Sequence, residues 1–146
     1  MNIALKKTSP ENFSKVLVLL SLANLPISDI GENVELFSLE MDSKIIGTAG
    51  LEMNGKIGLL RSLSVIESQK GKGYGLLIVQ NLEAYVKTKN IKVLYLFTTT
   101  AKDFFEKKCN YAVIKRVNVP IEIQSSQQFA LVCPLSAVVM KKEIPF

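Results

Sequence analysis

The sequence contains no histidine and only two cysteines among its 146 residues. Cys109 and Cys133 do not have the spacing of zinc ligands, and because the chain also lacks histidine we do not expect a zinc site. We therefore expect no bound metal. Both cysteines are expected to be small buried hydrophobic residues.

Arginine is also scarce, because Arg61 and Arg116 are the only two and lysine supplies nearly all of the net charge of +5. Proteins that read nucleic acids favour the planar fork of arginine. Lysines spread along the chain instead predict a general attraction for anionic ligands. Nucleic-acid binding through these lysines is the weakest hypothesis, and it predicts salt-sensitive gel shifts.

Long apolar runs are missing as well. No stretch approaches the ~20 residues of a membrane span, and residues 1–8 lack the apolar core of a signal peptide. We expect a cytoplasmic protein with no membrane partner. The 146 residues, 48% of them hydrophobic, predict one domain over residues 1–146 that buries a substantial core.

A glycine-rich loop stands between a strand pattern and an amphipathic helix pattern. Its six residues are Lys70, Gly71, Lys72, Gly73, Tyr74 and Gly75. Glycine allows unusual backbone dihedrals and lets a ligand approach the N–H groups closely. These N–H groups lie at the positive end of a helix, which carries roughly half an elementary charge. The loop therefore predicts a phosphate or pyrophosphate site.

Two familiar phosphate loops do not fit this stretch. The dinucleotide fingerprint needs a third glycine where Leu76 stands, and the ATP-binding loop needs Ser or Thr where Gly73 stands. A glycine-rich turn that only connects strand to helix is the remaining alternative.

Hydrophobic periodicity predicts the elements around the loop. We expect strands at residues 3–6, 34–41, 44–53, 56–65, 91–98, 111–117 and 135–141, and helices at 10–24, 76–89 and 101–109. Ser9 is the expected cap of the first helix, Thr99 or Thr100 that of the third, and Ser125 with Gln128 marks a further short turn. The first helix should bury Phe13, Val16, Leu17, Leu20 and Ala23, and the second Leu77, Ile78, Leu82, Tyr85 and Val86.

The strand, helix and strand around the loop predict a right-handed parallel crossover. The loop then lies at the carboxyl end of its first strand, where ligands of open sheets bind. This order of elements resembles the GNAT superfamily of acyl-CoA-dependent N-acetyltransferases. The family motif is Gln or Arg, any two residues, Gly, any residue, then Gly or Ala.

Lys70, Gly73 and Gly75 match that motif within the run LSVIESQKGKGYGLLIVQNLEAY. Lysine in place of Gln or Arg keeps a charge without the planar fork, so backbone amides should carry more of the binding. The resemblance implies a mixed α/β fold with a central, mostly antiparallel sheet and splayed parallel middle strands.

The segments LLRSLSV, TTTAKDFF and CPLSAVVM are similar to the GNAT subfamily found with arsenic-resistance genes. That likeness names no substrate. A site for trivalent arsenic would want three thiolates, and the chain has two cysteines.

The resemblance also implies where acetyl-CoA binds. Its pantetheine arm would lie between the strands that end at Val65 and Thr98. The backbone of Leu63, Ser64 and Val65 would bond the arm like a missing strand. The pyrophosphate would lie on the amides of the glycine-rich loop. An amide near Leu63 would steady the tetrahedral oxyanion, a role in which one donor contributes about 3 kcal/mol.

The catalytic groups are less clearly marked. Many relatives carry a tyrosine as general acid where this chain has Phe105, which is expected to pack against CoA or in the core. Thr99 is a candidate proton donor, and a helix cap is its alternative. Glu52 is the candidate general base, and the alternative is that it is simply an exposed carboxylate near a hairpin. Arg61 is a candidate for binding an anionic group of the acceptor, and the alternative is that it forms an ion pair with a neighbouring strand.

The resemblance therefore implies an N-acetyltransferase. It would move an acetyl group from acetyl-CoA to the amine of a small molecule by direct attack, as a monomer or homodimer. Resistance to toxic compounds such as arsenicals is the finer hypothesis. The loop at residues 25–33 is expected to contribute to acceptor specificity. The alternative, motivated by Phe105, is an acyl-CoA-binding sensor or partner-binding module without turnover.

Overall fold

The computed structural model describes residues 2–25, 27–28, 30–31, 33–120, 123 and 137–145. Its core element is a seven-stranded sheet in the order β1-β2-β3-β4-β5-β7-β6. The strands are β1 (Ile3–Lys7), β2 (Glu35–Met41), β3 (Lys44–Asn54), β4 (Ile57–Val65), β5 (Val93–Thr98), β6 (Ala112–Ile114) and β7 (Val138–Glu143). The α-helices are α1 (Phe13–Leu22), α2 (Tyr74–Thr88) and α3 (Lys102–Lys108).

The first four strands form an antiparallel meander. Asp42 and Ser43 join β2 to β3 with φ of 51° and 72°, the pattern of a tight mirror-image turn. Gly55, with φ of 62°, begins the two-residue turn between β3 and β4. The three antiparallel strands predicted before the glycine-rich loop are therefore confirmed.

The two middle strands are parallel and separate after three residue pairs. β4 pairs with β5 from Ile57 opposite Val93 to Leu59 opposite Tyr95. Both strands are fully described, and neither pairs with the other beyond these residues. β4 continues to Val65, whereas β5 turns its other edge to β7 along its whole length. The predicted splayed, mostly antiparallel sheet is confirmed.

Helices cover both faces of the sheet. Phe37 packs in the cluster that contains α2 and α3, whereas its neighbour Leu36 packs with α1. Adjacent residues of a strand point to opposite faces, so α1 lies on the face opposite α2. The buried positions of α2 are Ile78, Val79, Leu82 and Val86, while Leu77 and Tyr85 are only partly buried.

Two expectations about the first helix are wrong. A 3-10 turn at Pro10–Asn12 precedes α1, and the Ser9 side chain makes no capping hydrogen bond. The turn moves the start of α1 to Phe13. The helix buries Val16 and Leu20, and Leu17 packs partly buried beside them. Phe13 is 38% exposed and Ala23 is exposed.

Three later boundaries also differ from prediction. β6 stops at Ile114 because a 3-10 turn, Arg116–Asn118, replaces the expected end of the strand. The N-cap residue of α3 is Ala101 and no side chain caps the helix, so the expected cap at Thr99 or Thr100 is wrong. The Ala101 amide instead donates to the Thr98 hydroxyl at 2.9 Å. β7 begins at Val138. The short turn expected at Ser125 and Gln128 lies outside the described residues. Within the described chain no helix has the length and apolar composition to cross a membrane.

Candidate functional site

The glycine-rich loop lies between β4 and α2 and contains two left-handed glycines. Gly71 has φ of 78°, and Gly73, the N-cap of α2, has φ of 85°. A side chain in this conformation costs about 1–2 kcal/mol. An added Cβ would meet no atom within 4 Å at either position, so the dihedral angle itself requires glycine.

Gly75 serves a different purpose from the other two glycines. It lies inside α2, and an added Cβ would stand 3.3 Å from Cζ of Phe104. Its missing side chain therefore lets the Phe104 ring approach the first turn of the helix. The sequence pattern singled out Phe105 and missed this neighbour.

The first turn of α2 presents backbone donors. The Leu77 amide bonds to the Gly73 carbonyl at 3.1 Å, which is the first helical bond of this turn. The amides of residues 74–76 precede it and have no carbonyl of their own helix to bond. No side chain caps this end within the described structure. Uncapped amides beside the positive end of a helix are able to bind an anion such as phosphate.

The loop lysines are held only by surface contacts. Lys70 Nζ lies 3.1 Å from Glu67 Oε2, with the two side chains 61% and 90% exposed. Lys72 Nζ donates to Gln69 Oε1 at 3.1 Å. Exposed pairs of this kind contribute about 0–1 kcal/mol, so either lysine can turn to an anion at little cost. Tyr74 instead directs its hydroxyl to Met41 Sδ, 3.8 Å away.

The unpaired half of β4 forms one wall of the opening beside this loop. Leu63, Ser64 and Val65 are partly buried there, and the side chains of Leu63 and Val65 pack against the main core. Thr98, also partly buried, ends β5 on the other side. The opening thus offers backbone groups of β4 where a paired strand would normally lie.

A bulge interrupts β4 within this wall. Thr48 pairs with Ser64 and Gly50 with Arg61, so Ser62 and Leu63 both stand opposite Ala49. Ser62 takes a φ of 59°. For a residue with a side chain this conformation costs about 1–2 kcal/mol. The Thr48 hydroxyl donates to the Ser62 carbonyl at 2.8 Å and stabilises the bulge.

Glu52 and Arg61 form a buried ion pair next to the bulge. Arg61 Nη1 lies 2.9 Å from Glu52 Oε2, and the two side chains are 1% and 13% exposed. Asn33 Nδ2 donates to the other carboxylate oxygen at 3.3 Å. Arg61 Nε also donates to Ser62 Oγ at 3.3 Å. The ion-pair alternative for Arg61 is the one that the structure has, and Glu52 is not an exposed carboxylate.

Phe105 lies in the main hydrophobic core. It is 5% exposed, and its ring makes edge contacts with Phe104 at 5.1 Å and Tyr111 at 5.6 Å between centroids. The Tyr111 hydroxyl donates to Glu83 Oε2 at 3.1 Å. Burial, and then the Glu83 charge, raise the pKa of Tyr111, which stays protonated. These contacts favour the core alternative for Phe105.

Neither a nucleophilic thiol nor a metal cluster appears in the described part of the site. Cys109 is 3% exposed, and burial raises the pKa of its thiol to about 11. At neutral pH it is therefore a protonated, enclosed thiol. Among the described residues no group of three or more acidic, cysteine or histidine side chains is placed to hold a metal ion. Thr99 is exposed at the end of β5.

The sequence model of the acetyltransferase (GNAT) family matches residues 7–111, more than half of the chain. The chain belongs to this family. Family membership supports acyl transfer from an acyl-CoA to an amine, and the glycine-rich loop and the splayed strands lie within the matched region. A search of curated proteins found no match.

Solved structures share the fold at low sequence identity. N-acetylglutamate synthase from Neisseria gonorrhoeae, complexed with coenzyme A and N-acetyl-glutamate, gives a TM-score of 0.83 at 13% identity over 100% of this chain. This chain spans 36% of that synthase. A GNAT acetyltransferase from Staphylococcus aureus Mu50 gives 0.78 at 17% identity, covering 99% of this chain and 100% of the other.

A third structure was solved with coenzyme A bound. The PaiA N-acetyltransferase from Thermoplasma acidophilum gives a TM-score of 0.71 at 16% identity, covering 98% of this chain and 99% of the other. At these identities the likeness establishes the fold, and it does not carry the acceptor of any relative over to this chain.

Proposed function

We propose that this protein transfers an acetyl group from acetyl-CoA to the amine of a small molecule by direct attack in a ternary complex. The observation that carries the proposal is the opening between β4 and β5, which begins after Leu59 and leads to the uncapped start of α2. An extended ligand with an anionic group at one end fits an opening of this kind.

The donor would be held mainly by backbone. The amides at the start of α2 would bind the pyrophosphate, with Gly71 and Gly73 keeping the loop in its left-handed conformation. Lys70 and Lys72 would add positive charge. Leu63, Ser64 and Val65 would bond the pantetheine arm like a missing strand, and Thr98 would border it. Phe105 would contribute from beneath, by supporting the Phe104 ring.

Bound acetyl-CoA supplies an electrophilic thioester carbonyl. The Leu63 amide would donate to the carbonyl oxygen as negative charge develops there, a contribution of about 3 kcal/mol. Thr99 would relay a proton from a bound water to the leaving thiolate, so that the hydroxyl is restored in the same step.

Glu52 would accept the amine proton through a water. Its two oxygens receive Arg61 and Asn33, and each oxygen keeps a second lone pair for a water. Arg61 would hold this carboxylate in position. A carboxylate of the acceptor would have to compete with Glu52 for the guanidinium, so anion binding by Arg61 is the weaker of its two roles.

The acceptor class and the link to arsenicals are finer parts of the proposal. Arsenic resistance is supported by the segment likeness alone, and the enclosed Cys109 thiol is unsuited to binding a metalloid directly. The acceptor that we favour is the amine of a small molecule, such as an arsenical compound that carries an amino group.

Release of free CoA from acetyl-CoA, measured across a panel of small amines, tests the proposed function. We expect turnover with at least one amine, and loss of turnover in Gly73→Glu. Tight acetyl-CoA binding with no turnover on any amine would instead support the acyl-CoA sensor, which is motivated by Phe105 standing where many relatives have a tyrosine acid. Absence of both binding and turnover would contradict both.

A further inference from the structure

The bulge in β4 is held by hydroxyl groups from two strands. Thr48 is fully buried on β3, where its Oγ1 donates to the Ser62 carbonyl at 2.8 Å. The same Oγ1 lies 2.6 Å from Ser64 Oγ. A threonine hydroxyl has one proton, which the Ser62 carbonyl receives. Ser64 must therefore be the donor in the second bond, and the chain runs from Ser64 to Thr48 to Ser62.

This hydroxyl chain determines where the next amide points. The described chain contains no cis peptide bond, so the N–H of Leu63 points opposite to the Ser62 carbonyl with which it shares a peptide group. The carbonyl is turned toward Thr48 on β3. The Leu63 amide therefore points away from β3, toward the side on which β4 has lost its pairing with β5.

We propose that Thr48 is a positioning residue that aims and polarises the Leu63 amide. A carbonyl that accepts a hydrogen bond makes the N–H of its own peptide group a stronger donor, because hydrogen bonds in a chain polarise one another. Ser64 extends the chain by one bond. The inference rests on the proposed function, in which the Leu63 amide stabilises charge on the thioester oxygen.

Thr48→Val removes the hydroxyl with little change of volume, and Thr48→Ser restores it. We expect the ¹H–¹⁵N resonance of the Leu63 amide to move upfield in Thr48→Val and return in Thr48→Ser. We expect kcat to fall at least tenfold in Thr48→Val, with the KM for acetyl-CoA changed less than threefold. Thr48→Ser should recover most of the rate.

Ser38→Ala is the matched control. Ser38 is fully buried opposite Thr48 on β2 and bonds to the Thr8 hydroxyl at 2.6 Å. Its loss tests the effect of removing a buried hydroxyl, and the Leu63 resonance should stay in place. Ser64→Ala provides a milder break in the chain if Thr48→Val does not fold, and should move the same resonance by a smaller amount.

An unmoved Leu63 resonance in Thr48→Val, or an equal movement in Ser38→Ala, would overturn the proposal. The resonance is measured without ligand, so it tests the hydroxyl chain independently of turnover. A wild-type protein that neither binds nor turns over acetyl-CoA would refute the proposed function and leave this resonance test to stand or fail alone.

Discussion

Replacing Gly73 by glutamate should remove acetyl-CoA binding, and Gly55 offers a matched control. Both glycines have positive φ, 85° and 62°, and an added Cβ would meet no atom within 4 Å at either. Each substitution therefore adds one negative charge and about 1–2 kcal/mol of backbone strain. The difference is location, because Gly73 begins α2 and Gly55 lies in the turn between β3 and β4.

The expected magnitude follows from mass action. A ligand at 100 times its Kd raises the free energy of unfolding by about 2.7 kcal/mol. For a chain of this size that corresponds to a Tm increase of roughly 5–11 °C. Wild type and Gly55→Glu should show this increase. Gly73→Glu should not, because its carboxylate lies at the amides that would bind the pyrophosphate.

Thermal unfolding with and without millimolar acetyl-CoA measures the effect. Without ligand, the two variants should unfold at similar temperatures, both below wild type. No ligand-induced shift in wild type, or an equal loss of the shift in both variants, would refute the reasoning.

Three further predictions follow from the same contacts. Glu52→Ala should lower the free energy of unfolding by about 3 kcal/mol, because it removes the carboxylate that lies 2.9 Å from the buried Arg61 guanidinium. In urea titrations the double variant with Arg61→Leu should lose less stability than the sum of the two single variants, and additive losses would contradict the coupling. In a Cys133→Ser background, Cys109 should react with a thiol reagent at pH 8 only after denaturation, and rapid reaction of the native protein would count against this. The pKa of the folded thiol is raised from 9.0 to about 11, so the unfolded thiol loses its proton first. The free energy of unfolding should therefore fall as pH rises from about 9 to about 11. Phe105→Tyr places a hydroxyl in the core, so it should cost about 1–3 kcal/mol of stability without raising kcat, and a clear rise in kcat would show that the ring reaches the opening.

The sequence predicted the strands, the parallel crossover and the position of the glycine-rich loop between β4 and α2, because these depend on local signals. Alternation of apolar and polar residues marks the strands, and Gly55 marks a hairpin turn. The left-handed positions of the loop are recognisable because glycine occupies them, at Gly71 and Gly73. The start of α1 and the last residue of β6 were predicted wrongly. At both places a short 3-10 turn, which has no strong pattern of its own, replaces the expected helix or strand.

The candidate site was predicted only in part, because its remaining features depend on register. The ion pair between Glu52 and Arg61 can be predicted only when the pairing of β3 with β4 is known. Both residues were identified from the sequence, but their contact with each other was not. Thr48 gave no signal, since a β-bulge is not visible in the sequence. Phe104 and Phe105 are adjacent and alike, and only the packing of α3 distinguishes the ring near Gly75 from the ring in the core.

Titration of ¹⁵N-labelled protein with acetyl-CoA tests the central claim most directly. We predict that the largest amide shifts occur at Gly71, Gly73 and Leu63, which line the start of α2 and the unpaired half of β4. The hairpin amide of Gly55 should remain in place. Shifts concentrated at the outer strands β1 and β6, or no shifts at saturating ligand, would contradict an acyl-CoA site in the opening between β4 and β5.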